Sequence, residues 1–168
     1  MVVVSYTILR YVKLTTTNKV VTMNDVHILL VEDNPGDARL ILEALKESKL
    51  KTQVSMVTDG VEAMAFLRRE GRYANALRPD IMLLDLNLPR KDGRELLEEI
   101  KNDPSFKLIP VLVLTTSSSH DDIVSSYARH ANSYITKPAD MDEFLAVVKS
   151  VESFWFDIAK LPPRDPTL

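Results

Sequence analysis

The 168-residue chain contains no cysteine, which excludes disulfides, thiolate nucleophiles and cysteine-ligated zinc and is compatible with a reducing compartment. Glycine is scarce, at four residues, and none falls in a G-x-G-x-x-G pattern. A glycine-rich loop cradling a flavin or dinucleotide phosphate is therefore not expected. There is no excess of positive charge either: 21 Lys and Arg against 24 Asp and Glu leave a net charge of −3. A nucleic-acid surface needs a basic face to neutralise phosphates, so a DNA-binding regulator is disfavoured. Long apolar runs are also missing. The N-terminal stretch MVVVSYTILRYVKLTTTNKVV is broken by Arg10 and Lys13. It stops well short of a membrane span and lacks the basic start and continuous apolar centre of a secretory signal.

What remains is the composition of an ordinary soluble domain, 45% hydrophobic and 27% charged, of a size that one core can stabilise. Residues 1–22 are read as an N-terminal tail, either disordered or a start-site artefact upstream of Met23, with a short added strand as the lesser option. Residues 23–161 form the domain, and residues 162–168 a C-terminal tail too short for a second one.

Within the domain, apolar runs alternate with helical periodicity. Val26–Val31 (VHILLV), Val54–Val57, Ile81–Leu84, Pro110–Leu114 and Ser133–Ile135 read as strands, the nearly all-apolar ones as strands buried on both faces. Each is followed by a helical pattern. Pro35 opens the first helix, Asp59 with Glu62, Ser119 with Asp122 and Asp140 with Glu143 cap three others, and the last runs from about Met141 towards Lys160. Five strand–helix repeats with short loops predict an α/β fold, a five-stranded parallel sheet with helices on both faces and right-handed crossovers.

In an open parallel sheet, ligands bind outside the carboxyl ends of the strands. Here those ends carry Glu32 and Asp33, Asp85, Thr115 and Lys137. A lone Asp after a strand is ordinarily a solvated loop end; four ends with complementary groups are not. Three clustered carboxylates repel one another unless a cation neutralises them, and hard oxygen ligands favour Mg²⁺. A carboxylate in such a site is a nucleophile for phosphoryl transfer. Lys137, the Thr115 hydroxyl and the metal would surround the transferred group with positive charge and donors.

The segments ILLVEDN, IMLLDLNLPRKDG, VLVLTTS and SYITKP resemble, in order and spacing, the motifs of two-component response-regulator receiver domains, over about residues 26–158. The resemblance implies the flavodoxin-like strand order 2-1-3-4-5 of chemotaxis-type receivers. It implies that Asp85 accepts a phosphoryl group from a sensor histidine kinase, and that Glu32, Asp33, Asp85 and the Asn87 backbone carbonyl hold Mg²⁺. Lys137 then pairs with the phosphoryl group and Pro138 follows a cis peptide bond. Thr115 and Tyr134 form the switch, and Asn87 and Ser117 tune the phosphoryl lifetime. His130 stands where such domains usually have glycine as a left-handed residue, so either His130 takes a mildly strained conformation or the fourth helix ends differently. His27 and His120 are read as structural or solvated.

At about 100° per residue, Phe144, Val148, Val151 and Trp155 form one stripe of the last helix, facing the sheet. Val147, Phe154, Ile158 and Leu161 form an adjacent one, and Leu145 and Phe156 lie on the other flank. The apolar arc of roughly 220° is about twice what one-sided packing needs. The surplus predicts a homodimer interface through Val147, Phe154 and Ile158. KSVESFWFDIAKLPP, VEDNPGDARL and LTTSSSHDDI also resemble stand-alone receivers of phytochrome-type sensor kinases. The expected protein is thus a single-domain, cytoplasmic response regulator that is not a conventional enzyme. It contacts a kinase and a downstream protein that the sequence does not name, and neither nucleic acid nor membrane. A phosphate shuttle in a multistep relay and a phosphorylation-independent pseudo-receiver are the alternatives.

Overall fold

The computed structural model describes residues 6–7, 26–46 and 52–164. Its strands are β1 (Tyr6–Thr7), β2 (Val26–Val31), β3 (Thr52–Val57), β4 (Ile81–Leu84), β5 (Val111–Thr115) and β6 (Ser133–Thr136). The helices are α1 (Pro35–Lys46), α2 (Gly60–Arg68), α3 (Gly93–Asn102), α4 (His120–Ala128) and α5 (Met141–Glu152). One sheet runs β1-β3-β2-β4-β5-β6. Counted from β2, the five parallel strands follow the order 2-1-3-4-5. The addition is β1, which pairs antiparallel with β3 at the edge, Tyr6 opposite Val54 and Thr7 opposite Gln53. A short added strand was the lesser expectation for this segment; the rest of residues 1–22 lies outside the described residues.

The two faces of the sheet bury separate apolar clusters. Ile28, Leu30, Ile81, Leu83, Leu112 and Leu114 pack beneath α1 and α5. Leu29, Val31, Met82, Leu84, Val111 and Val113 pack beneath α2 and α3. This is why β2, β4 and β5 are apolar without alternation: every residue faces a covered side.

The predicted helix starts are built as expected. Asp59 accepts from Glu62 N at 2.9 Å, Ser119 from Asp122 N at 3.3 Å, and Asp140 from Glu143 N at 2.9 Å. The fourth helix ends on His130 at φ 63°. His130 N donates to Tyr127 O and Ala131 N to Ser126 O, both at 3.0 Å. That pair is the glycine-type C-terminal motif formed without glycine. The last helix changes character. After Glu152 the chain continues as a π-helical turn over Ser153–Ile158, which alters the phase assumed for a regular helix. Leu161 accordingly packs against the α1–α5 cluster with Trp155 and Phe156, while Phe154 and Ile158 stay 50% and 68% exposed. Among the described residues no helix is long and apolar enough to cross a membrane.

Candidate functional site

Parallel strands joined by crossovers deliver all their carboxyl ends to one rim, and the predicted residues meet there. Glu32 follows β2, Asp85 follows β4, Thr115 ends β5 and Lys137 follows β6. Oxygens of Glu32, Asp33 and Asp85 lie within 4.8 Å of one another. Glu32 is 1% exposed and Asp85 7%, whereas Asp33 is open to solvent. Such an all-oxygen set, partly open and crowded with negative charge, fits a hard divalent cation that keeps some of its waters.

Lys137 Nζ donates to Glu32 Oε2 at 2.6 Å, to Asp37 Oδ2 at 2.9 Å and to Asp85 Oδ2 at 2.9 Å. An ammonium has three donors, and each meets a carboxylate. Burial by itself would lower the Lys137 pKa; the bonds to Glu32, Asp37 and Asp85 outweigh it and hold the ammonium above its ordinary range. Burial also pushes the Glu32 carboxyl up, against the pull of Lys137 and of Asn34 N.

Thr115 and Tyr134, the residues expected to form a switch, both bond to Ser117. Thr115 is fully buried, and its Oγ1 lies 3.5 Å from Asn87 Nδ2 and 3.4 Å from Ser117 N. Asn87 N donates to Asp85 Oδ1 at 3.2 Å. Tyr134 is half-buried and points inward, its hydroxyl donating to Ser117 O at 2.9 Å. One expectation is corrected: the peptide bond before Pro138 is trans, as no cis bond occurs among the described residues. Trans is the ordinary isomer even before proline, and Lys137 reaches all three carboxylates with it.

The loop after Asp85 is braced from two sides. A Cβ on Gly93 would lie 2.2 Å from Asp85 O and 2.6 Å from Leu86 Cα, so only glycine allows the start of α3 to approach this close. Arg90, at φ 63°, places Nε 2.7 Å from Oδ2 of the buried Asp59. A left-handed arginine is costly unless its surroundings hold it, and here a buried carboxylate does so.

Sequence reasoning missed Asp37, Arg90 with Asp59, and Arg94 with Asp122. An acid in the first turn of a helix is ordinarily a partner of the helix dipole, which hid Asp37's approach to Lys137. The other pairs join residues 31 and 28 positions apart and leave no local pattern.

The response regulator receiver domain family matches residues 28–149. The response regulator Rcp1 of Synechocystis sp. is 50% identical over 135 residues, covering 80% of this chain and 92% of that protein. A probable methanogenesis regulatory protein, FilR2, of Methanothrix harundinacea is 38% identical over 135 residues, 80% of this chain and 86% of its own. Among solved structures, the phosphorylated cyanobacterial phytochrome response regulator RcpA superposes with a TM-score of 0.81 at 57% identity, over 83% of this chain and 99% of that one. The Mn²⁺-bound form of Rcp1 superposes at 0.80 with 48% identity, over 82% and 99%. With the acidic rim and the strand order already in place, these likenesses show that the chain belongs to the response regulator receiver domain family and is a phosphoacceptor of two-component signalling.

Proposed function

We propose that Asp85 is the acceptor, taking the phosphoryl group of a kinase phosphohistidine. An Asp85 carboxylate oxygen forms the new bond to phosphorus. The phosphorus–nitrogen bond breaks, and its electron pair returns to the imidazole, which recovers a proton. The observation that carries this reading is Lys137, whose ammonium spans Asp85, Glu32 and Asp37 at 2.6–2.9 Å. It stands at the carboxyl ends of the strands, where Asp85 meets Glu32 and Asp33 with a buried ammonium beside them.

Glu32, Asp33 and Asp85, with the Asn87 backbone carbonyl, would hold Mg²⁺, which supplies charge neutralisation for the phosphoryl oxygens. Lys137 moves from Asp85 to the phosphoryl group as the carboxylate charge is consumed. Thr115 then donates its hydroxyl to a second phosphoryl oxygen, and Tyr134 packs behind it. Ser117 and Asn87 border the approach of an attacking water. The domain thus helps to catalyse its own phosphorylation, and output runs through protein contact rather than through nucleic acid.

The likeness to RcpA, a phytochrome response regulator, supports a phytochrome-type sensor histidine kinase as partner, hence a cytoplasmic setting. The exposed Phe154 and Ile158 and the half-buried Val147 support a homodimer through α5 and the π-helical turn that follows it. Phe154→Ser should weaken self-association by about tenfold or more, the effect of truncating one buried aromatic anchor. An unchanged sedimentation profile would refute that face.

Incubation with acetyl phosphate and Mg²⁺, read by intact-mass spectrometry, tests the chemistry. One phosphoryl adduct is expected, absent with a chelator and absent in Asp85→Asn. An adduct retained in that folded variant would overturn the assignment of Asp85.

A further inference from the structure

The loop from β5 to α4 is fixed at one residue through both its carbonyl and its hydroxyl. Ser117 accepts at its carbonyl from Tyr134 Oη, 2.9 Å away. Its hydroxyl donates to Asp122 Oδ2 at 2.5 Å and accepts from Ser119 N at 3.3 Å. A serine hydroxyl has a single proton, and this one is committed to Asp122. The oxygen is thereby fixed facing α4.

Asp122 is itself held. Arg94 Nε lies 2.8 Å and Nη2 2.7 Å from Asp122 Oδ1, so one carboxylate oxygen accepts two charge-assisted contacts while the other takes the Ser117 proton. Arg94 Nη1 also reaches Asp92 Oδ2 at 3.0 Å, and Asp92 caps α3. The bonds from Ser117 and Arg94 hold the Asp122 carboxyl below its ordinary range, so it is an ionised acceptor at neutral pH. The chain of contacts therefore runs from the start of α3, directly after the Asp85 loop, to the Ser117 hydroxyl. The proposed role of Ser117 does not itself call for any of these partners.

We infer that Asp122, gripped by Arg94, is a positioning residue that keeps the Ser117 hydroxyl turned away from the phosphoryl group and so lengthens the phosphoryl lifetime. This rests on the reading of Asp85 as acceptor. In hydrolysis the water oxygen bonds to phosphorus and the acyl oxygen–phosphorus bond breaks. Its electron pair returns to the Asp85 carboxylate, and both water protons leave with the phosphate, one passing on to solvent. A hydroxyl free to turn accepts a hydrogen bond from that water and steadies it in line with the breaking bond. Tied to Asp122, it does not.

The test follows the decay of the phosphoryl adduct after removal of acetyl phosphate, by intact mass. The chains compared are the wild type, Asp122→Ala, Ser117→Ala and the double variant. Asp122→Ala should shorten the lifetime by about tenfold, the rate equivalent of one well-placed hydrogen bond, but only while Ser117 is present. The double variant should decay at the rate of Ser117→Ala. Arg94→Met should shorten the lifetime in the same Ser117-dependent way, and it serves where Asp122→Ala does not fold. An equal effect of Asp122→Ala in both backgrounds would show a general loosening of the loop and overturn the inference, as would an unchanged lifetime. A wild type that forms no adduct would instead overturn the acceptor reading.

Discussion

Gly93→Ala probes the packing that places the acceptor. An alanine Cβ there would sit 2.2 Å from Asp85 O, 2.6 Å from Leu86 Cα and 3.0 Å from Leu86 O. All three are backbone atoms, so no side chain can turn aside to make room. To restore even the 3.0 Å that marks the lower limit of real contacts, Asp85 O must retreat by about 0.8 Å. The bond from Gly93 N to Leu86 O, now 2.9 Å, shifts with it. Overpacking of this kind costs about 1–3 kcal/mol, and each kcal/mol lowers Tm by about 2–4 °C in a chain of this size. A misplacement near 1 Å at a reacting group costs on the order of 10²-fold in rate. Phosphorylation by acetyl phosphate in saturating Mg²⁺ should therefore slow far more than the modest fall in Tm suggests. Gly71→Ala supplies the comparison. Gly71 has φ +54° with nothing within 4 Å of an added Cβ, so it should lose stability through backbone strain without slowing phosphorylation. A Gly93→Ala protein with wild-type rate and Tm would refute the close-approach argument.

Three further outcomes are expected. Lys137→Ala leaves Glu32 and Asp85 buried without their ammonium, a loss of about 3–5 kcal/mol. It should lower the denaturation midpoint in chelator, lower it less in Mg²⁺, and tighten metal binding by removing a competing cation; weaker metal binding by calorimetry would contradict this. His130→Gly should raise Tm, since a left-handed non-glycine residue costs about 1–2 kcal/mol, and a lower Tm would show that the His130 side chain contributes more than its strain removes. Burial pulls the Lys101 ammonium from 10.5 to about 8. Between those pH values the unfolded chain holds a proton that the folded chain has released, so the stability of the wild type relative to Lys101→Met should rise with pH across that window. A flat or falling difference in denaturation midpoint would refute it.

Much of the architecture was legible because the local signals agree with one another. Buried strands announce themselves as VHILLV and IMLL, nearly all apolar and without alternation. Three helix starts were readable because the capping acceptor sits three residues before its donor. For His130 the sequence offered either a strained conformation or a different helix end, and the backbone takes the left-handed turn. The phase of the last helix was not legible past Glu152, because a π-helical turn interrupts the regular repeat on which the reading depended. The trans bond before Pro138 likewise had no sequence signature, since proline admits both isomers and the surrounding fold selects one.

By itself the sequence determined the alternation of elements, the depth at which each strand lies and the presence of acids, a hydroxyl and a lysine at the strand ends. Those properties follow from side-chain period and from the chemistry of single residues. Only the tertiary structure decided which groups meet. Lys137 reaches Glu32 across 105 positions and Asp37 across 100, and Ser117 gives its proton to an Asp122 that Arg94 holds. Such pairings depend on loop paths fixed by distant contacts, including the approach of Gly93 to Asp85. A distance of that kind is a property of the packed backbone, and no spacing along the chain encodes it.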